Sequence, residues 1–217
     1  MTLTFEYLGF GPNPQLTDYE DVWEYQHIVH DQVASGERDG HVIMTHHAPV
    51  YTAGRQTKQE EFPKDGTPVV EVDRGGHITY HGPGQLVCYP IVRLSKGAGV
   101  VDHVRRLEAA IIELLGTYGL SPIRMQGRTG VWFPADDQRP ARKICAIGIK
   151  VSRRTTLHGL ALNIKPSTER FGNIIPCGIT DAGVTSLTEE KPGNWNIWKV
   201  AESLEPILAK HLTPELD

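Results

Sequence analysis

The stretch FGNIIPCGIT, residues 171–180, places a cysteine between a proline and a glycine, after two isoleucines. Free cysteine is among the most buried residue types, so packing is the simplest role for Cys177. Pro176 fixes its own backbone angle and Gly178 permits a sharp turn, which favours an exposed thiol at a corner. A nucleophilic thiolate also requires a neighbouring base or cation, because a free thiol has a pKa of about 8.5. The sequence offers four candidates for that partner: Lys143, His77, His81 and His158.

A lysine is sufficient for this task. An ammonium about 4 Å from a thiolate stabilises it by roughly 4 kcal/mol at an effective dielectric constant of about 20. At about 1.36 kcal/mol per pKa unit, this attraction lowers a thiol pKa by up to about 3 units before desolvation opposes it. The residues alone do not rank Lys143 above the three histidines.

The segment RGGHITYHGPGQLVCYP, residues 74–90, is the second candidate site. Its glycines and its proline exclude a regular helix and bring bare backbone close to anything bound there. His77 and His81 are four residues apart, a spacing that indicates zinc on a helix, but the intervening Ile78 to Tyr80 favours extended structure. A substrate-binding loop is therefore favoured over a structural turn, and a metal site is the least expected alternative.

The runs KICAIGIKV and TTLHGLALNI predict two neighbouring strands. In a hairpin with Ser152 opposite Thr155, four small residues face one side of the sheet: Gly148 opposite Gly159, and Ala146 opposite Ala161. Such a block predicts either a slot for an extended ligand or the close approach of a helix.

Three other residues of this hairpin allow predictions about its turn and about the position of a lysine. Arg153 and Arg154 are poor residues for a type I′ turn, so we expect a looser loop between the strands. Lys143 opens the first strand and lies on the face opposite the small residues if the strand is regular there.

Helical and strand-like patterns alternate along the chain. A capping-box pattern from Thr17 predicts one helix, Asp102 is the expected cap of a second that stops at Gly119, and a third begins near Asn194. Pro206 is expected to end or kink the third helix. The links between several strand-like runs are too short for parallel crossovers, which predicts a mixed or largely antiparallel sheet flanked by helices. We expect an α+β fold and one domain over residues 1–217.

Charge is distributed unevenly over the 217 residues, whose formal net charge is −4. Residues 1–73 carry 13 acidic and 4 basic side chains, whereas residues 121–160 carry 8 basic and 2 acidic ones. The basic segment is either a solvated face or a docking patch for an acidic partner. Its few aromatic residues and the isoelectric point of 6.2 disfavour nucleic acid.

Other features of the sequence exclude several classes of protein. No long apolar run suggests a membrane span or a secretory signal. Three cysteines without C-x-x-C spacing disfavour a disulfide framework, so a cytoplasmic protein without membrane association is expected.

Several motifs in order, RGGHITYHGPGQLVCYPI, GRTGVW, KICAIGIKVS, LHGLALNI, FGNIIPCGI and GVTSL, closely resemble those of the lipoyl(octanoyl) transferases. The resemblance implies the catalytic fold of biotin and lipoate protein ligases. It implies octanoyl transfer from acyl carrier protein to a lysine of lipoyl domains, in 2-oxoacid dehydrogenase E2 subunits and the glycine cleavage H protein. Neither a cofactor nor a metal is implied, because the acyl group arrives on the carrier's phosphopantetheine arm.

The same resemblance assigns roles to residues. Cys177 would form an acyl-thioester intermediate, and Lys143 would lower the pKa of its thiol. The acyl site would be lined by Arg74, Gly75, Gly76, His77, Ile78, Thr79, Tyr80, His81, Ala146, Ile147, Gly148, His158, Gly159, Leu160 and Ala161. Cys145 departs from the alanine expected beside the lysine, and we expect it to pack in the core.

Three other functions remain as alternatives. An ATP-dependent lipoate or biotin ligase would need no nucleophilic cysteine. A non-catalytic acyl-binding or lipoyl-domain-binding module would keep its function without Cys177. A Cys-His amidase would release free octanoate to water.

Overall fold

The structure is a computed structural model that describes residues 3–63, 66–166, 168–174 and 182–213. The helices are α1 (Tyr19–Ser35), α2 (Val100–Thr117), α3 (Leu187–Glu190) and α4 (Ile197–Leu212), with 3-10 turns at Gln59–Glu61 and Thr168–Asn173. The strands are β1 (Thr4–Tyr7), β2 (His41–Thr45), β3 (Val50–Ala53), β4 (Val69–Glu71), β5 (Thr79–His81), β6 (Gln85–Ile91), β7 (Ile123–Met125), β8 (Arg128–Phe133), β9 (Arg142–Ser152), β10 (Thr155–Asn163) and β11 (Gly183–Val184).

Most of the described strands form one large sheet, in the order β1-β2-β6-β10-β9-β8-β7, with β11 also pairing with β9. The β1–β2 and β9–β11 pairs are parallel, and the other pairs of this sheet are antiparallel. A small second sheet has the order β4-β3-β5. The prediction of an α+β fold with a mixed, largely antiparallel sheet is confirmed.

Helices cover both faces of the large sheet. On one face α2 and α4 pack together over a core that includes Leu86, Cys88, Leu160 and Leu162. On the other face α1 places Val22, Val29 and Val33 against Ile43, Val87, Tyr89 and Ala161. Alternate residues of β6 therefore pack in the two cores on opposite faces of the sheet, as the two-residue period of a strand requires. None of the described helices combines the length and the apolar character that crossing a bilayer requires.

The ends of the first two helices differ slightly from the sequence prediction. Asp18, not Thr17, caps α1, because its carboxylate accepts from the first-turn amides at 2.8 and 3.2 Å. Helix α2 starts earlier than predicted, after Gly99, and Asp102 reaches back to the Gly99 amide at 2.8 Å. The predicted stop at Gly119 is confirmed by the end of α2 at Thr117 and by a φ of +78° at that glycine.

The last helix is longer than predicted. It begins after the capping residue Asn196 and continues through Pro206 to Leu212. Leu208 and Leu212 are fully buried in the core. Their packing outweighs the loss of one backbone hydrogen bond at the proline, so of the two expected effects, an end or a kink, the end at Pro206 is wrong.

The β9–β10 hairpin has the register that the small residues predicted. Ser152 pairs with Thr155, and the glycine and alanine pairs follow in order. Arg153 and Arg154 have φ values of +51° and +61°, as the two central positions of a type I′ turn require. The expected looser loop is therefore wrong, because strand pairing on both sides outweighs the cost of left-handed backbone at two arginines.

Close contact between β10 and β6 makes Gly159 intolerant of a side chain. A Cβ atom at this position would overlap the carbonyl oxygen of Cys88. We expect Gly159→Ala to lower the free energy of unfolding by about 2–3 kcal/mol, as overpacking does in other cores. Gly116→Ala, in α2 with open space around its Cα, should instead raise it by about 0.5–1 kcal/mol. Urea unfolding of both variants measures whether the free energy of unfolding falls in Gly159→Ala and rises in Gly116→Ala.

Candidate active site

A cavity of about 390 Å³ lies against the β9–β10 hairpin, beside the N-terminal half of α1 and below the loop that precedes β5. It contains most residues of the predicted site: Arg74, Gly76, His77, Thr79, His81, Lys143, Ala146, Ile147, Gly148, His158, Gly159, Leu160 and Ala161. Helix α1 packs on β10, and the cavity lies beside it, so the small residues adjoin both a helix and an open space.

Gly75, Ile78 and Tyr80 do not line the cavity, although the predicted acyl site includes them. The extended backbone explains two of these, because residues 77, 79 and 81 face the cavity and the alternate side chains face away. Ile78 and Tyr80 pack in a separate cluster with Phe171. Gly75 instead donates its amide to the carbonyl of Ile149 at 3.1 Å, which fixes the loop on β9.

Sequence reasoning missed seven lining residues: Tyr19, Gln56, Val87, Tyr89, Gly127, Arg128 and Thr129. The alternation of β6 could have identified Val87 and Tyr89, since the small residues they face were recognised. Gly127 to Thr129 belong to the GRTGVW motif, to which the sequence alone assigns no role. Tyr19 and Gln56 reach the cavity only through tertiary packing, for which the sequence carries no local signal.

Arg74 organises the glycine-rich loop from a buried position. Its guanidinium donates to the carbonyls of His77 at 2.8 Å, Gly75 at 3.1 Å and Thr52 at 2.8 Å, and also to the Thr52 hydroxyl. These bonds hold the loop over Gly148, whose missing side chain would come within 3.0 Å of the Arg74 Cδ. Arg74 therefore closes the cavity at the Gly148 end of the hairpin.

His77 and His81 each bond to a polar side chain. The Nδ1 atom of His77 lies 2.8 Å from a carboxylate oxygen of Glu61. His81 donates from Nδ1 to the Gln85 side-chain oxygen at 2.8 Å, which leaves Nε2 as the acceptor nitrogen. Burial lowers the pKa of His81 to about 3, so this ring is neutral at physiological pH. Among the described residues, no group of three His, Cys, Asp or Glu side chains is placed to hold a metal ion.

His158 has an unusual backbone conformation, with a φ of +62° inside a strand. Its amide donates to the Gln26 side chain at 3.1 Å, and its Nε2 atom lies 2.8 Å from an Asp73 oxygen. Burial lowers the pKa of His158. Hydrogen bonds from His158 and Lys150 hold the pKa of Asp73 well below its usual range. The imidazole is thus a neutral donor to Asp73 at the end of the cavity far from Lys143.

Lys143 lies on the cavity face, contrary to the expectation for a regular strand. Val131 pairs with Cys145 but its neighbour Trp132 pairs with Lys143, so Ile144 is an extra residue in β9. This β-bulge shifts the alternation by one residue and places Lys143 on the same side as Ala146. The lysine is only 8% exposed, and its Nζ atom lies 4.7 Å from the centre of the Trp132 ring.

Cys177 lies outside the described residues. The described chain resumes at Ala182, and Gly183 and Val184 pair in parallel with Arg142 and Lys143. The other two cysteines, Cys88 and Cys145, are buried and free, and burial raises the pKa of both thiols. The expected packing role of Cys145 is confirmed, and neither buried thiol is suited to act as a nucleophile.

The basic segment does not form one positive surface. Many of its side chains contact carboxylates from elsewhere: Arg124 with Glu108, Arg139 and Arg142 with Glu190, Lys150 with Asp73, and Arg153 with Asp31. These pairs compensate most of the excess charge. The structure therefore favours local ion pairing over a continuous docking patch.

Comparison with known proteins agrees with the geometry. The family model of the lipoyl protein ligase A/B catalytic domain matches residues 18–209. The octanoyltransferase of Cutibacterium acnes is 54% identical over 219 residues, covering 97% of this chain and 80% of the relative. The octanoyltransferase of Pseudarthrobacter chlorophenolicus is 46% identical over 209 residues, covering 96% and 94%.

A solved structure supports the fold. The bipartite lipoate protein ligase of Thermoplasma acidophilum has a TM-score of 0.69 at 15% identity, covering 99% of this chain and 84% of that protein. The predicted relation to the lipoate protein ligase fold is confirmed. The chain therefore belongs to the octanoyltransferases, acyltransferases of the lipoyl protein ligase A/B catalytic-domain family.

Proposed function

We propose that the chain transfers an octanoyl group from octanoyl-acyl carrier protein to a lysine of a lipoyl domain, through a thioester on Cys177. The acceptors are the lipoyl domains of 2-oxoacid dehydrogenase E2 subunits and the glycine cleavage H protein. The observation that carries this proposal is the 54% identity, over 97% of the chain, to a relative named as an octanoyltransferase. The cavity supports it, because a nearly buried lysine stands at one end of a slot floored by small residues.

In the proposed reaction the Cys177 thiolate attacks the octanoyl thioester, and the carrier's phosphopantetheine leaves as a thiolate. The Lys143 ammonium stabilises the thiolate of the free enzyme and then protonates the leaving thiolate. The neutral amine of the target lysine next attacks the acyl-enzyme, and Cys177 leaves. Lys143, now neutral, accepts the proton released by the amine. Each proton lost by Lys143 in the first half is regained in the second, and no ATP is consumed.

The cavity disfavours two of the three candidate histidines, His81 and His158, as the cationic partner of the thiol. His81 is neutral because of burial, and His158 donates to Asp73 at the far end of the hairpin. His158 pairs with Ile149 of β9, which is six residues along the strand from Lys143. At about 3.3 Å per residue, this separation is roughly 20 Å. It is also next to the point where the described chain resumes after Cys177.

The slot also suggests how chain length is selected. Ala146 lies three residues from Lys143, about 10 Å along β9. An extended eight-carbon acyl chain, with carbon–carbon bonds of about 1.5 Å, is about 9 Å long. Its end would reach the Ala146–Ala161 pair.

We expect Ala161→Val to shift acyl preference from octanoyl to hexanoyl carrier protein by about tenfold. Excluding two methylene groups from an apolar site costs about 1.6 kcal/mol, at about 0.8 kcal/mol each. Competition between the two donors, read by product mass, measures the ratio. Ala201→Val, which overpacks the core at α4, is the matched control and should leave the ratio unchanged. An unchanged ratio in Ala161→Val would remove the alanine pair from the acyl site.

An ATP-dependent lipoate ligase is the second candidate function, because a lipoate protein ligase shares this fold. The two functions differ in their donor. We expect modification of a lipoyl domain from octanoyl carrier protein without ATP, and little from octanoate with ATP. The opposite ratio would reject octanoyl transfer from the carrier in favour of the ligase.

A further inference from the structure

A row of buried polar side chains crosses the sheet at the level of Lys143, and the proposed reaction uses none of them. We infer that Thr185 and Asn163 are positioning residues, which hold the backbone of Lys143 so that its ammonium is fixed relative to the Cys177 thiol. The inference rests on the proposed function. It adds two residues that never contact the substrate.

The row is continuous. The Thr185 amide donates to the Lys143 carbonyl at 2.9 Å. The Thr185 carbonyl accepts from the Asn163 side-chain amide at 3.0 Å, and the Asn163 oxygen accepts from Gln85 at 2.9 Å. Gln85 in turn accepts from His81 on the cavity wall. Thr185, Asn163 and Gln85 are 1%, 4% and 1% exposed, so each of these bonds is made without competition from bulk water.

The Thr185 hydroxyl fixes the other end of the row. It lies 2.6 Å from a Glu190 oxygen and 2.9 Å from a Glu189 oxygen, and its single proton serves one carboxylate at a time. Glu190 also receives two hydrogen bonds from Arg142, at 2.6 and 2.8 Å. Arg142 precedes Lys143 in β9. The lysine is therefore held through its own carbonyl and through the side chain of its neighbour.

Lys143 needs this support because of the β-bulge. The extra residue Ile144 interrupts the regular ladder with β8 beside the lysine. A bulge leaves local backbone direction less determined by strand pairing, and a small rotation there swings a long side chain. The hydrogen bond from the Thr185 amide holds Lys143 from the opposite edge of β9, where β11 pairs with Lys143.

The expected effect on the thiol is measurable. Moving the ammonium from about 4 Å to about 6 Å from a thiolate weakens their attraction by about a third, which raises the thiol pKa by about one unit at an effective dielectric constant of about 20. Among the described residues, Arg128 of β8 lines the same cavity as Lys143, and the neighbouring Arg142 pairs with Glu190. Asn163→Leu leaves these groups in place, whereas Thr185→Val also removes the hydrogen bond to Glu190.

The experiment compares Thr185→Val and Asn163→Leu, which remove polar groups at nearly constant volume, with the conservative Thr185→Ser. Cys177 alkylation by iodoacetamide is followed against pH by peptide mass, which separates it from the two buried thiols. Octanoyl transfer is measured in parallel. We expect the thiol pKa to rise by about one unit in the first two variants. On the acidic side of the pH profile, kcat should fall about tenfold, with the KM for the carrier unchanged. Thr185→Ser should keep the thiol pKa and kcat at the values of the unaltered chain.

The matched control is Thr156→Val, a buried threonine of β10 whose hydroxyl bonds the Pro90 carbonyl at 2.7 Å, far from Lys143. It should lower the melting temperature and leave the thiol pKa in place. If Thr185→Val and Asn163→Leu behave like this control, the two residues are structural only and the inference is overturned. Absence of any octanoyl adduct in the unaltered chain is a different result, which rejects the proposed function itself.

Discussion

Replacing Cys177 by serine is expected to abolish the acyl-enzyme and to lower octanoyl transfer by roughly 10⁴-fold or more, the scale seen when a catalytic nucleophile is removed. A serine hydroxyl remains protonated beside a lysine, because its pKa lies far above that of a thiol. It therefore cannot supply the nucleophile that the first half-reaction needs. Single-turnover transfer from octanoyl carrier protein to a lipoyl domain measures the loss.

Cys145→Ala is the control for this prediction. Cys145 is two residues from Lys143 in sequence, but its side chain is buried in the opposite core. We expect this variant to retain transfer and the octanoyl adduct, at a modest cost in stability from the lost sulfur atom. Full transfer activity of Cys177→Ser would show that the reaction does not pass through a thioester on Cys177.

Lys143→Met should lower transfer by about 10²–10³-fold at neutral pH, which combines a weaker thiolate with the loss of a proton shuttle. The sign of the pH effect follows from charge. An ammonium stabilises the thiolate, so removing it raises the pKa of Cys177, by up to about 3 units. The acidic limb of the kcat/KM profile should therefore move to higher pH, and activity should partly recover in alkaline buffer.

Two variants separate the two roles of this lysine. Lys143→Arg keeps the positive charge but cannot release a proton, so the thiol pKa should stay low while turnover remains impaired. Lys150→Met removes a lysine of the same strand that pairs with Asp73, and it should leave the pH profile unchanged. If Lys143→Met left the acidic limb in place, the lysine would not be the partner of the thiol.

The sequence predicted the hairpin geometry well because one register alone paired all the small residues. Gly148 with Gly159 and Ala146 with Ala161 needed only the two-residue period of a strand and a turn length. The same rule misplaced Lys143, since a bulge at Ile144 depends on pairing with β8, which no local pattern announces. The error concerns the residue on which the proposed chemistry depends, and bulges are frequent beside active sites.

The glycine-rich segment shows a second limit of sequence reasoning. The resemblance assigned Arg74 to His81 to the acyl site as one run, whereas strand β5 divides these residues between the cavity and a separate apolar cluster around Tyr80. The partners of the charged residues were also unpredictable, because Glu190 and Asp31, which pair with Arg142 and Arg153, are distant in sequence. Tertiary contacts determine both the path of the glycine-rich segment and the partners of the charged residues.

Octanoyl is expected to pass through a thioester on this chain. The most direct measurement is intact-mass spectrometry within one turnover of mixing the chain with octanoyl carrier protein, followed by addition of a lipoyl domain. We predict a mass gain of one octanoyl group that maps to Cys177, is absent in Cys177→Ser, and disappears as the lipoyl domain gains the same mass. A lipoyl domain that becomes octanoylated while the chain never carries the adduct would exclude a thioester intermediate on Cys177.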